Sequence, residues 1–338
     1  MFQKSKMKAI IYLTTILAFF LISAKLTQAD EVGFSAIAVL EKHQTDNSLS
    51  YWRLKPEAGK DIHLVLKITN GEKKNTFTIS ANQAITNQNL VVDYGLDKKS
   101  ALKLLSTKPA FDFYSQVLLG DKKTPKEVTI ELKPNESIEF PLIVKVPDNL
   151  WDGVQIGGIN VTRKPSADEQ KASIVNLYNY AFALVLEGNE VKSGNELSIS
   201  MDKLTVDKQA FTLKNETQNI VKNVDLHGAI KDKDGKKVAQ VDINNGTIVP
   251  FAQVSIPLIS KEPLRNGHEY TFELTKKNGD EKTTQEFKIT VDNVGKITSV
   301  EAKNTTLLYV LGAIIGIGMF IFILLVNRNK KRTKGRHE

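Results

Sequence analysis

The sequence predicts an exported, all-β protein: two tandem immunoglobulin-like β-sandwich domains, plus one C-terminal transmembrane helix. Three observations carry this. The 338-residue chain opens on a basic and then apolar leader, and it closes on an uncharged apolar run followed by a basic tail. Between these ends, apolar residues recur at every second position in short runs separated by turn residues.

Lys4, Lys6 and Lys8 precede an apolar run from Ala9 to Ala24, and Thr27-Gln28-Ala29 supplies small residues for cleavage. That order marks residues 1–29 as a secretory signal peptide, since the apolar run is shorter than the ~20 residues that span a bilayer. The mature chain is expected to begin near Asp30. At the other end, Leu307 to Val326 is twenty residues without a charge. At ~1.5 Å per residue such a helix crosses the ~30 Å hydrocarbon core, and it lacks the polar face of a core helix. Arg328, Lys330, Lys331 and Arg332 follow as a membrane-proximal basic anchor, which places the tail 327–338 in the cytoplasm by the positive-inside rule. Gly312 and Gly316 have the GxxxG spacing of a helix dimer contact.

The formal charge of +8 does not describe a nucleic-acid surface. Four lysines lie in the first 29 residues and the tail adds a net five positive charges, which leaves residues 30–304 at −1. No nucleic-acid partner is expected. The chain has no cysteine, so disulfides, thiolate chemistry, Cys-ligated metals and a lipid-modified cysteine anchor are excluded. An exported protein of this size without disulfides points to a bacterium. No LPxTG-like sorting signal precedes the apolar segment, which leaves the helix as the anchor.

The 275 residues from Asp30 to Asn304 suit two domains with separate cores. In the first, over 30–190, Ile62, Leu64, Leu66 and Ile68 alternate with polar residues, and Phe77, Ile79 and Ala81 repeat the pattern after a turn-rich stretch. The spacing predicts a hairpin. Further strands are expected at 127–132, 138–146, 154–161 and 178–186. Pro109 to Gly120 breaks the habit, with Phe111, Tyr114, Val117 and Leu118 on a helical stripe, and predicts a short helix. A second alternating set fills 191–292, with hairpin turns at 231–236 and Asn278-Gly279, in the manner of an immunoglobulin-like sandwich. Residues 293–306 are expected to form a stalk between this domain and the helix at 307–326.

Catalytic and metal-binding patterns are absent from the sequence. His43, His63, His227, His268 and His337 are scattered, with no HExxH pair, nucleophile elbow, phosphate loop or SxxK. His63 and His227 fall on polar faces of expected strands. Asp232 and Asp234 begin like a calcium loop without its remaining ligands. No catalytic residue, metal site or cofactor is expected.

Three stretches carry a family resemblance: GFSAIAVLEKHQTDNSLSYWRLKPEAGKDIHLVLKITN (33–70), VPDNLWDGVQIGGINV (146–161) and NLYNYAFALVLEGN (176–189). Their order and spacing resemble the WxL-interacting protein family of Gram-positive bacteria. The most specific element is Trp151 to Ile159, preceded by the PxxxxxF-type strand Pro134 to Phe140. The resemblance implies a peptidoglycan-binding domain, with a family boundary near 164, followed by a host-binding domain. It also implies WxL-domain surface proteins, peptidoglycan and host surface molecules as partners. The expected role is a membrane-anchored, non-catalytic scaffold holding WxL-domain proteins or peptidoglycan at the wall and contributing to host attachment. The alternative is a wall-processing enzyme without a recognisable motif.

Within the signature, Trp151, Asp152, Gly153, Gly157 and Gly158 are the candidate binding or structural residues. Asp152-Gly153 predicts a turn, and Gly157-Gly158 a bulge or a close backbone approach. Trp151 is either a core aromatic or a stacking platform for a sugar ring.

Overall fold

The computed structural model describes residues 33–303, apart from 43, 126, 172 and 192–196. The expected signal peptide, the membrane helix with Gly312 and Gly316, and the basic anchor Arg328, Lys330, Lys331 and Arg332 lie outside the described residues. Among the described residues no helix is long and apolar enough to cross a membrane.

Two β-rich domains follow one another. The first contains β1 (Phe34–Val39), β2 (Trp52–Leu54), β3 (Ile62–Asn70), β4 (Asn75–Gln83), β5 (Ile85–Thr86), β6 (Val92–Asp93), the short helices α1 (Lys98–Leu102) and α2 (Phe113–Gln116), then β7 (Val117–Leu119), β8 (Val128–Leu132), β9 (Ser137–Val144), β10 (Val154–Arg163) and β11 (Tyr178–Glu187). One sheet has the order β1-β3-β9-β7 and the other β2-β11-β10-β4-β8. Side chains of the two sheets, among them Trp52, Leu66, Phe77, Phe140 and Ile159, share one core with Phe113 of α2. The strict alternation of β3, with every second residue buried, follows from the two-residue period of a pleated strand.

The second domain contains β12 (Leu197–Ser200), β13 (Ala210–Asn215), β14 (Val221–Asp232), β15 (Lys237–Ile248), β16 (Gln253–Pro257), β17 (Ile259–Ser260), β18 (Glu269–Asn278), β19 (Glu281–Val291) and β20 (Ile297–Lys303). A β12-β13-β16 sheet faces the six-stranded sheet β17-β15-β14-β18-β19-β20. The two expected turns do close the hairpins β14-β15 and β18-β19.

Three expectations are corrected. The stretch between β3 and β4 is no hairpin: β3 pairs with β1 and β9, whereas β4 pairs with β10 and β8. The buried Asn70 shapes this crossing, its Nδ2 donating to the carbonyls of Lys73, Leu132 and Lys133. Between Pro109 and Gly120 only Phe113–Gln116 is helical, capped by Asp112, and Val117–Leu119 is a strand against β9. Residues 297–303, expected in the stalk, instead form β20 and pair with β19 from Glu286 to Val291. Adding a strand satisfies backbone groups that an exposed stalk would leave to water.

Candidate functional site

The site is built around β10, the middle strand of the five-stranded sheet. Gln155, Gly157, Ile159, Val161 and Arg163 point to the inside of the first domain, while Val154, Ile156, Gly158, Asn160 and Thr162 form the outer face. β10 pairs regularly with both β11 and β4 through Gly157 and Gly158, with no register shift. The expected bulge is therefore absent, and what approaches closely is a pair of aromatic rings. A Cβ on Gly157 would lie 2.2 Å from Phe113 Cδ1, and one on Gly158 would lie 2.4 Å from the Tyr94 ring. The glycines let α2 press against the inner face and the 84–112 segment against the outer face.

The outer face of β10 is apolar at its start. Ile156 joins Ala84, Leu90, Leu105 and Val185 in a core shared with Val221, Ile248, Val249 and Ala252 of the second domain. Backbone bonds cross the same joint: Val154 N to Gln218 O (2.8 Å), Thr247 N to Leu90 O (2.7 Å), Ser106 N to Phe251 O (2.8 Å) and Gln253 N to Leu104 O (2.8 Å). Gly153 sits at this contact with φ +74°, and a Cβ there would meet Gln218 at 2.4 Å. Asp152 accepts from Asn189 Nδ2 at 3.1 Å. Trp151 is 7% exposed and packs on Phe111 with centroids 5.3 Å apart, so its ring is no platform for a sugar. Of the signature residues, Gly153 meets the second domain and Gly158 the 84–112 segment, whereas Trp151 and Gly157 face the core of the first domain and Asp152 is tied to Asn189.

Further along, the same face turns polar. Asn82 and Asn160 donate to the Tyr94 carbonyl at 2.7 and 3.0 Å, Asn179 donates to Asn160 Oδ1 at 3.2 Å, and Thr162 donates to Asn179 Oδ1 at 2.8 Å. These side chains come from β4, β10 and β11 and floor an open cleft of about 590 Å³. Tyr114 borders it, held by a bond from its hydroxyl to Leu96 O at 2.8 Å. Burial pushes the phenols of Tyr94 and Tyr114 up to about 12, so both stay neutral throughout the physiological range. Asp97 and Lys98 stand on the rim. Sequence reasoning missed this site: its one signal is the recurrence of Asn and Thr on the outward positions of three strands, which reads as ordinary exposed polarity until the strands are known to be neighbours.

Elsewhere, His63 and His227 are exposed, and His227 Nδ1 lies 2.9 Å from Asp242. Among the described residues no group of His, Asp and Glu is arranged to hold a metal ion.

Two family descriptions match the chain: "WxL Interacting Protein, peptidoglycan binding domain" over residues 34–163 and "WxL Interacting Protein, host binding domain" over 169–299. β11 thus falls within the second match while pairing in the first domain's sheet. No curated protein sequence matches. Similar solved structures include the CupB2 chaperone of Pseudomonas aeruginosa, 11% identical, covering 67% of this chain and 91% of that one with a TM-score of 0.30. The CsuC–CsuE chaperone–tip adhesion subunit complex of Acinetobacter baumannii is 14% identical, covering 57% and 81%, with a TM-score of 0.31. At such TM-scores these likenesses carry no argument. The family matches take in most of the chain: it belongs to the WxL-interacting protein family, as a non-catalytic, peptidoglycan-binding cell-surface scaffold that partners WxL-domain proteins.

Proposed function

We propose that the first domain holds peptidoglycan in the polar cleft on the outer face of β4, β10 and β11. The observation that carries this is the line of carboxamides Asn82, Asn160 and Asn179, which steps diagonally across three strands beside Tyr114, with Asn82 opposite Gly158 and Asn179 opposite Thr162. Each carboxamide has two donor hydrogens and an oxygen with two lone pairs, so the bonds within the line leave capacity for a ligand. Glycan hydroxyls and N-acetyl groups are neutral donors and acceptors that suit such a floor, and the neutral phenol offers an amphipathic edge.

The test is pull-down of the full-length chain, in detergent, on purified peptidoglycan. Asn179 is exposed and Thr162 only half-buried, so Asn179→Ala with Thr162→Val leaves the core untouched. Two hydrogen bonds lost to the ligand at about 0.5–1.5 kcal/mol each predict a roughly tenfold weaker association, while loss of the Thr162–Asn179 and Asn179–Asn160 bonds lowers the melting temperature by only a few degrees, leaving the chain folded. Unchanged association refutes the placement.

The wider reading is a single-pass surface protein: signal peptide 1–29, two immunoglobulin-like domains divided near 190, helix 307–326 and cytoplasmic tail 327–338, with Arg328, Lys330, Lys331 and Arg332 at the membrane. Gly312 and Gly316 would be the contact if two helices pair. The pairing of Tyr178–Glu187 with β10 supports a division near 190 over one near 164. With Ile297–Lys303 in the second domain's sheet, little chain separates that domain from the apolar segment. A short tether favours partners within the wall, and host attachment then proceeds through the wall-held partner.

A further inference from the structure

We infer that the uncovered edge of β11 is where the WxL-domain partner docks, by adding an extended, uncharged strand of its own to the sheet. This rests on the family assignment for the existence of that partner. The place and manner of binding come from the geometry.

β11 pairs with β10 along its whole length, but on its other side β2 covers only Leu184–Leu186. Among the described residues Tyr178–Ala183 has no strand paired on that side, and neither has β1 on the side away from β3; the two strands meet through side chains at one end, where the Tyr180 hydroxyl donates to Phe34 O at 3.4 Å and the two rings are 5.0 Å apart. A cleft of about 510 Å³ starts here, lined by the consecutive residues Tyr180, Ala181, Phe182 and Ala183 and by the consecutive Ala36 and Ile37, and it continues over the outer face to Tyr94, Ile156 and, in the second domain, Ile220 and Thr247. Successive side chains of a strand point to opposite faces, so consecutive residues can line one cleft only if it wraps the strand's edge. One end of the space therefore lies along the edges of both sheets. The six free residues of β11 offer roughly 20 Å of unpaired backbone in line with β2.

An exposed edge is normally blunted by charge, proline, brevity or a cover. The other outer strands follow that rule: β8 carries Glu131, paired to Lys74; β16 ends in Pro257; β20 carries Glu301; β17 has two residues; β7 has three and is closed by Thr124; β12 has four, and its Leu197 carbonyl is taken by Lys276. Tyr178–Ala183 and Phe34–Val39 contain neither charge nor proline. Of the eight large hydrophobic side chains exposed among the described residues, five flank these edges: Ile37 and Val39 on β1, and Ile174, Val175 and Leu177 leading into β11. An apolar-rimmed backbone edge is recognised by a polypeptide strand, whose own N–H and C=O groups continue the ladder while alternate apolar side chains enter the cleft. A glycan has no such repeat.

The test uses the full-length chain in detergent and a purified WxL-domain protein of the same bacterium, with affinity read by calorimetry. Ile37 and Ala181 are exposed, so Ile37→Lys and Ala181→Lys place a charge on the edge without entering the core. Each is expected to weaken binding at least tenfold, whereas Thr129→Lys on the β8 edge leaves it unchanged. Hydrogen exchange at those amides of Tyr178–Ala183 that point away from β10 is expected to slow only in the complex, and association with peptidoglycan is expected to persist in Ile37→Lys, which lies off the polar cleft. Binding indifferent to both lysines, or protection appearing on another strand, overturns the inference while leaving the family partnership intact. Protection of those outward-pointing amides already present in the free chain also overturns it, assigning the edge to this chain's own segment, or to a second copy if protection grows with concentration. A wild-type chain that binds no WxL-domain protein overturns both.

Discussion

Gly157→Ala is the sharpest probe of how the signature works. Phe113 is fully buried and stacks edge-on against Phe111 at 4.8 Å, which in turn meets Trp151. The added methyl would sit 2.2 Å from Phe113 Cδ1, 2.4 Å from Cγ and 2.6 Å from Cε1. Relaxed carbon contacts are about 3.5–4.0 Å, so the whole ring must retreat by more than an ångström against two packed aromatics. Overpacking on this scale costs about 3 kcal/mol, and replacing a strand glycine returns about 1 kcal/mol of unfolded-state entropy. The net loss of about 2 kcal/mol lowers the melting temperature by roughly 4–8 °C for a domain of this size. Thermal unfolding followed by near-ultraviolet dichroism reads it. The decisive comparison is the double variant with Phe113→Leu, which makes room for the methyl. If the ring is the obstacle, the two changes together cost about 2 kcal/mol less than their sum. Strict additivity refutes the explanation, as does an unshifted Gly157→Ala.

Two further outcomes follow from buried polar geometry. Asn70→Ala removes the amide that serves Lys73, Leu132 and Lys133 and leaves those carbonyls without it inside the crossing between the sheets, which is expected to cost about 2–4 kcal/mol in urea unfolding. Glu169 accepts two bonds from the buried guanidinium of Arg163, which, with a bond from the Ser166 amide, holds its carboxyl at about 2, below the usual 4.5. A depressed folded value means the stabilisation is full above about pH 4.5 and is lost as the pH falls towards about 2. Because the Glu169 side chain is 43% exposed, solvent screening keeps the gain below about 1 kcal/mol, and Glu169→Gln is expected to flatten unfolding free energy across that window.

The strands that sequence reasoning located are those with large apolar residues at alternate positions, such as β3, β14 and β18. It passed over β1 as a strand because its buried positions include the small Ala36 and Ala38, which give little hydrophobic contrast. The stretch from Phe111 to Leu119 misled for a physical reason. Phe111, Tyr114, Val117 and Leu118 make a helical stripe, but the residues buried are Phe111, Phe113, Val117 and Leu119, spaced by twos with one helical turn between. The arch between β3 and β4 has the composition of a hairpin turn, and only the partners of β4 reveal that the chain changes sheets. The signature at Trp151 to Ile159 was visible as unusual, yet its purpose was not, because the rings that fill its glycine spaces come from Tyr94 and Phe113, dozens of residues away.

That separation explains how one strand serves several surfaces. Along the outer face of β10 the side chains change from Val154 and Ile156, through Gly158, to Asn160 and Thr162, so the apolar end is consumed by the second domain and the polar end remains open. The joint does not rest on hydrophobic contact alone. Gly153 permits the Gln218 backbone to approach, and the four cross-domain backbone bonds fix direction as well as distance. A pair of domains locked in this way cannot close over the polar cleft or over the β11 edge without breaking those bonds. Two ligands of different chemistry, a neutral glycan on the face and a polypeptide strand on the edge of β11, can then be held at once on a single sheet, each by the part of the sheet that the other leaves free.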